Sequence, residues 1–378
     1  MIYLDHAAAT PVSEKTLEAM KPYFLSDFFN PSSAYLPAKK VAHEYEEAKA
    51  SIAHSIGAKE NDLVMTAGAT EANNLAFTAV SRDGKILYLK TEHDSVRNPA
   101  KRFAHDEIEV DKNGRVDLND LKAKINDEVE LISVALANNE LGTIQPLAEI
   151  AQMIRETKFE RLSRGVKTPL LLHSDASQAM NLLDINVARL GVDLLTLNAA
   201  KVYGPKGVGA LYVSHEVRLS PITTGGGQEN GLRSGTENVP GVIGFAAALA
   251  HAKEHLNGNR KKYAGFRKIL LDEVKDYELI NKKHSLDNFV VLCFDGLDAE
   301  RLIYLLEERE VYVSTGAACA ASKGVRSHVL TAIGLTDSQI AGSLRITLGE
   351  TNTEEQIHEA ARLINEVVAL EKARVGRG

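Results

Sequence analysis

Cysteine is almost absent from this chain: Cys293 and Cys319 are the only two in 378 residues. That excludes a disulfide framework, and no C-x-x-C pair is present. An excess of basic charge is lacking as well. A formal net charge of −7 leaves no electrostatic footprint for nucleic acid or for an anionic membrane surface. No apolar run approaches the length of a membrane span. The glycine-rich stretch from Gly225 to Asn238 contains neither G-x-G-x-x-G nor G-K-[ST], so it is not a dinucleotide fingerprint or a P-loop. The strand-like Ile2-Tyr-Leu-Asp5 follows Met1 at once and leaves no room for a secretory leader, so a cytoplasmic location is expected.

What is present is an ordinary soluble composition, 44% hydrophobic and 25% charged, with length enough for two domains. Apolar runs at Leu63–Thr66, Lys85–Leu89, Leu131–Leu136 and Pro169–Asp175 alternate with amphipathic stretches such as 41–56 and 147–158. That alternation predicts an α/β fold, a mainly parallel sheet flanked by helices. The stretch 242–273, broken by Asn257-Gly-Asn259, is expected to lead into a smaller α+β unit built on the buried strand Phe289–Phe294 and closed by a helix over 353–372. The expected division is 13–250 for the larger domain, with 1–12 and 251–378 in the smaller one.

Two segments carry chemistry. Pro169-Leu-Leu-Leu-His-Ser-Asp175 reads as a buried strand ending in an acid, followed by Ala-Ser-Gln178. Leu194–Leu197 and Val208–Val213 read as two strands around the Gly204-Pro205 turn, with Lys201 at the end of the first. Lys201 alone reads as a solvated loop lysine. A lysine and a carboxylate at two strand ends are also what pyridoxal phosphate chemistry requires, one to form a Schiff base and one to pair with the pyridine nitrogen.

His173-Ser-Asp-Ala-Ser-Gln178 followed by Lys201-Val-Tyr-Gly-Pro-Lys-Gly207 resembles the core of the cysteine desulfurases, the NifS/IscS-like group of class V aminotransferases. Matches run from Tyr3-Leu-Asp-His-Ala-Ala-Ala-Thr10 to Ser343-Leu-Arg345, nearly the whole chain. The resemblance implies fold type I and a homodimer with pyridoxal 5'-phosphate on Lys201. It places Asp175 on the ring nitrogen, and Asn139 with Gln178 on the phenolic oxygen. His93 stacks on the ring and takes part in proton transfer, a pairing of tasks that a flat, proton-exchanging imidazole suits. Ala69 and Thr70, in a strand–turn–helix passage that would otherwise read as a plain turn capped at Thr70, supply part of the phosphate cup. Asn198 adds a donor, and Thr236 reaches the phosphate of the neighbouring subunit.

The same resemblance assigns Arg345 to the carboxylate of L-cysteine, with Asn30 of Asn30-Pro-Ser-Ser33 contributing to substrate binding. Cys319, in Ser314-Thr-Gly-Ala-Ala-Cys319, matches the catalytic cysteine that takes the sulfur as a persulfide while alanine leaves. Cys293, in an apolar run, reads as a packed core residue. A sulfur-acceptor protein is the implied partner, in iron–sulfur or thiolation pathways, and no resident metal is implied. Selenocysteine lyase, another class V reaction and a cofactor-free scaffold are the alternatives. Cys319 argues against transamination, and retention of Lys201 with Asp175 argues against a scaffold. Three departures from the family pattern stand out. Ala200 and Asn198 occupy the usual places of a histidine and a serine near the phosphate, the histidine after Asn-Pro-x-Ser is missing, and Gly378 follows the last helix closely, without the extension some members use to dock a scaffold.

Overall fold

Buried apolar runs set the architecture of the computed structural model, which describes residues 1–315 and 326–376. After a short N-terminal strand, β1 (Ile2–Tyr3), come the seven strands of the main sheet. These are β2 (Leu63–Thr66), β3 (Lys85–Leu89), β4 (Ala104–Ile108), β5 (Val129–Ser133), β6 (Leu171–Asp175), β7 (Leu194–Asn198) and β8 (Gly209–Val213). Their spatial order is β2-β8-β7-β6-β5-β3-β4. From β7 to β4 the pairings are all parallel, and β8 runs against both its neighbours. The inner parallel strands β3, β5, β6 and β7 carry near-continuous buried runs, as strands covered by helices on both faces must, while the edge strand β4 is partly exposed. Helices Asp94–Ala100, Leu118–Lys124 and Leu147–Ser163 supply the crossovers that parallel pairing demands.

β6 and β7 end side by side, with Asp175 paired to Thr196, so Asp175 and the Ala199–Lys201 turn emerge at one sheet edge. Close approach of backbones holds the neighbouring helix there. Gly68 adopts a φ of 138°, and a Cβ on Gly209 would lie 2.7 Å from its Cα. Only glycine at both positions lets the Ala69–Ala76 helix start directly on β8.

A second, antiparallel sheet follows, built from β9 (Glu278–Leu279), β10 (Phe289–Cys293), β12 (Ser314–Thr315) and β13 (Ser343–Thr347) in the order β12-β13-β10-β9. Helices Ala299–Glu307 and Glu354–Val375 belong to this half. β11 (Val311–Tyr312) pairs in parallel with β1. The N-terminal segment therefore touches both sheets: Asp5 bridges to Thr347, while Thr10 donates its N–H to the Ala200 carbonyl.

The expected break at Asn257-Gly-Asn259 does not occur. One helix of 35 residues runs from Val239 to Glu273. Glycine in an exposed helix costs about 1 kcal/mol, and nothing crowds Gly258 among the described residues. The next residue is nearly buried, and its Nδ2 donates to Glu350 Oε1 at 3.0 Å. Tertiary contacts of this kind outweigh the local propensity.

Candidate active site

A cavity of about 280 Å³ lies at the carboxyl ends of β3, β5, β6 and β7, the position at which open α/β sheets hold ligands. Lys201, Asp175, His93, Gln178, Asn139, Asn198, Thr70, Ala69 and Arg345 all line it. A second, wider cavity of about 670 Å³ shares Ala69, Thr70 and Asn198 with it and adds Ala200.

The strand ends carry the charged groups. Asp175 closes β6, where its Oδ1 accepts from Ser177 N–H and its Oδ2 from Asn73 Nδ2, each at 2.9 Å. Lys201 ends the turn after β7, and its Nζ donates to the carbonyls of Ala7 at 2.7 Å and Ala8 at 2.6 Å. Gln178 Nε2 donates to the same Ala7 carbonyl at 3.0 Å. Lys206, the other lysine of the motif, is exposed.

His93 caps the Asp94–Ala100 helix, its Nδ1 accepting from Ser95 N–H at 3.1 Å. Because that donor is a backbone amide, Nδ1 is an acceptor and the neutral ring carries its proton on Nε2. Ser95 Oγ lies 2.9 Å from the same Nδ1 and accepts from Asn73 Nδ2. Asn73, with no exposed surface, thereby ties His93 to Asp175. His173, by contrast, is a structural histidine: it is enclosed between Ser133 and Thr196, and burial lowers its pKa to about 4.

The double asparagine divides its work. Asn138 Oδ1 accepts from the N–H groups of Glu140 and Leu141 and builds the turn, which leaves Asn139 to face the cavity. Arg345, in β13, is almost enclosed. Its Nη2 donates to Asp5 Oδ1 at 2.6 Å and its Nη1 to the Asn139 carbonyl at 2.9 Å.

A family model described as aminotransferase class-V matches residues 2–359. The chain belongs to that family. A cysteine desulfurase IscS 1 of Archaeoglobus fulgidus is 38% identical, with 97% of each chain covered. A solved NifS-like protein superposes with a TM-score of 0.90 at 30% identity, over 98% of this chain and 99% of that one. A structure of SspA in complex with cysteine gives a TM-score of 0.80 at 32% identity, over 92% and 99%. This class V protein has fold type I and depends on pyridoxal phosphate, and its cavity fits that group. The carboxylate of Asp175 suits the protonated ring nitrogen, and the amine of Lys201 suits the aldehyde carbon. The first N–H groups of the Ala69–Ala76 helix, which have no acceptor within the helix, suit the phosphate. Thr70 sits in the first turn of that helix, not at its cap, which is Gly68. Asn198 turns its carbonyl oxygen onto Ala200 N–H at 3.2 Å, so its amide N–H₂ is the donor left for the cup. Ser177 Oγ, buried without a hydrogen-bond partner among the described residues, provides one more polar atom beside the cavity.

Some expected residues are not brought together. Asn30 is exposed, its Oδ1 accepts from Ser32 N–H within its own loop, and it does not line the cavity. Thr236 is also exposed and lines neither cavity. Cys319 lies outside the described residues. Cys293 is buried in β10, and burial pushes its thiol up to about 11.

Two acids escaped the sequence reading. Glu92 is wholly enclosed at the cavity wall, and burial raises its pKa to about 8. Glu140 is likewise enclosed, raised by burial to about 7 despite the Ser327 hydroxyl that donates to it at 2.5 Å. Each neighbours a motif residue, His93 or Asn139, but nothing in the local sequence signals that its carboxyl is buried.

Proposed function

We propose that this protein is a cysteine desulfurase, taking sulfur from L-cysteine and releasing L-alanine. The observation that carries the reading is the convergence of Lys201, Asp175 and Arg345 on one cavity. The described chain on either side of Cys319 also meets this site: β12 pairs Ser314 with Arg345, and His328 lines the cavity. Cys319 is four residues beyond Thr315, a chain reach of at most about 14 Å. Relatives named as cysteine desulfurases and the cysteine-bound SspA structure support the choice of substrate.

Pyridoxal phosphate, when bound, supplies the electron sink for charge developing at the substrate α-carbon. Arg345 offers a planar fork to the substrate carboxylate, and that fork is now shared between Asp5 and Asn139. Asp175 would pair with the ring nitrogen, and the Asn73 tether fixes the direction of its carboxylate. The Lys201 amine takes the α-proton and returns it, and His93 Nε2 carries the second transfer. A free thiol, with a pKa of about 8.5, is mostly protonated at neutral pH, so Cys319 gains rate from deprotonation. Its Sγ attacks the substrate sulfur. The S–S bond forms, the Cβ–S bond breaks, and the electron pair passes to Cβ, which is protonated on the way to alanine. The persulfide then passes to an acceptor protein, in iron–sulfur cluster assembly or thiolation.

The reading includes a cytoplasmic homodimer in which exposed Thr236 completes the phosphate cup of the other copy. Asn30, in the Asn30-Pro-Ser-Ser33 loop, contributes to substrate binding. It also includes the division into 13–250 on one side and 1–12 with 251–378 on the other. The test is alanine release from cysteine by the purified yellow protein. A yellow protein that forms no alanine, with or without a thiol acceptor, defeats the proposal.

A further inference from the structure

On the long Val239–Glu273 helix, away from the cavity, His251-Ala-Lys-Glu-His255 puts two histidines at i and i+4 on one face with Glu254 beside them. One nitrogen of each ring and one Glu254 oxygen lie within 4.8 Å of one another. We propose that these three side chains form a binding site for a divalent transition-metal ion of the zinc type.

The hydrogen bonding around the two rings is what a metal site needs. His255 Nδ1 lies 2.9 Å from the His251 carbonyl, an acceptor only, so Nδ1 carries the proton and Nε2 keeps its lone pair. The His251 Nε2 sits 3.4 Å from Glu350 Oε2, while its Nδ1 is enclosed and has no hydrogen-bond partner among the described residues. A carboxylate on one ring nitrogen and a bare lone pair on the other is the arrangement that orients metal-bound histidines. Glu350 is itself fixed: Oε1 accepts from Asn259, its carbonyl accepts from Lys262, and its N–H donates to Tyr203 Oη. The two rings already lie against each other, with centroids 4.1 Å apart and planes at 35°.

Ligand atoms around a tetrahedral zinc stand about 3.3 Å apart for bonds of about 2.0 Å. Side-chain rotation of Glu254 closes the remaining distance, since its ion pair with Lys15 is solvent-exposed and long, at 3.9 Å. Two imidazoles and one carboxylate favour Zn²⁺, Ni²⁺ or Cu²⁺ over Mg²⁺ or Ca²⁺. Water would complete the coordination, because His255 and Glu254 face solvent.

The experiment uses tag-free holoenzyme carrying Cys319→Ser, which removes the competing thiol, and titrates Zn²⁺ by calorimetry. One ion per chain is expected. His251→Ala and His255→Ala should each weaken binding at least about tenfold, and Glu350→Gln by a similar factor through the lost second partner. Replacing exposed His215 should change nothing. Zinc should raise the melting temperature of the parent protein and not that of the His251→Ala/His255→Ala protein, with both checked for native circular dichroism. Absence of binding at about 100 µM Zn²⁺, far above the range of built sites, overturns the proposal. So does a stoichiometry and affinity unchanged in the double variant.

Discussion

Glu92→Gln should make the protein gain stability relative to its parent as pH rises. Glu92 has no exposed surface to speak of. Its Oε1 accepts from Ala135 N–H at 2.5 Å, and its Oε2 is enclosed without a partner among the described residues. Burial is the main reason its pKa rises from 4.5 to about 8; the Ala135 amide opposes this, and the Asp175 charge adds to it. His328, whose Nε2 donates to the Glu92 carbonyl, and Asp175 are the titratable neighbours. In the folded protein the acid is therefore neutral at pH 7, while in the unfolded chain it is ionised. A raised folded-state pKa means that the stabilising share of this group is full below about pH 4.5 and is lost as pH climbs through about 8. At about 1.36 kcal/mol per pH unit the whole effect is at most about 5 kcal/mol, and between about pH 6 and about pH 7.5 it is about 2 kcal/mol. For a chain of 378 residues that amounts to about 2–3 °C in melting temperature. A glutamine at this position keeps the shape and the acceptor for Ala135 but does not titrate, so every other group cancels in the comparison. Thermal melts of the two holoproteins, followed by circular dichroism across this pH range, should show the Glu92→Gln protein gaining by that amount. A difference that is flat, or that falls with pH, refutes the neutral-acid assignment.

Three more outcomes follow from the site. Lys201→Ala should abolish the borohydride-reducible attachment of pyridoxal phosphate, and peptide mapping should find no adduct on Lys206. Arg345→Lys keeps the charge but loses the fork; it should raise KM for cysteine about ten- to a hundredfold, the equivalent of about 1.5–3 kcal/mol of charge-assisted bonding, with the cofactor colour unchanged. Ala200, which lines the wider cavity beside Thr70 and Asn198, gives the phosphate no side-chain donor. Ala200→His should slow loss of the aminated cofactor on dialysis by about tenfold, for one added charge-assisted bond; equal or faster loss shows a cup already complete.

Most of the parallel strands were legible because burial on both faces makes them largely apolar, as in Lys85–Leu89 and Leu194–Asn198, whereas the partly exposed, polar β4 (Ala104–Ile108) carried no such signal. Asp175 and Lys201 were singled out only together, as an acid and a lysine at two strand ends inside a motif resembling the family's; Lys201 alone reads as a solvated loop lysine. Asn73, Ser95, Glu92 and Glu140 were not legible. Their significance arises when strands distant in sequence close around them, as when the chain leaving β5 brings Ala135 N–H onto Glu92. The continuity of the Val239–Glu273 helix was hidden for the same reason, since Asn259 is held by Glu350, 91 residues away. Asn30 and Thr236 were read from the family pattern alone, and both are exposed in this single chain.

The central claim is that sulfur passes from cysteine to Cys319. Mixing the holoenzyme with one equivalent of L-cysteine, trapping thiols with an alkylating agent and mapping peptides by mass spectrometry tests it most directly. The account predicts the mass of one added sulfur atom on the peptide containing Cys319, none on that containing Cys293, and stoichiometric alanine. Added sulfur on Cys293, or alanine formed at full rate by Cys319→Ser, contradicts it.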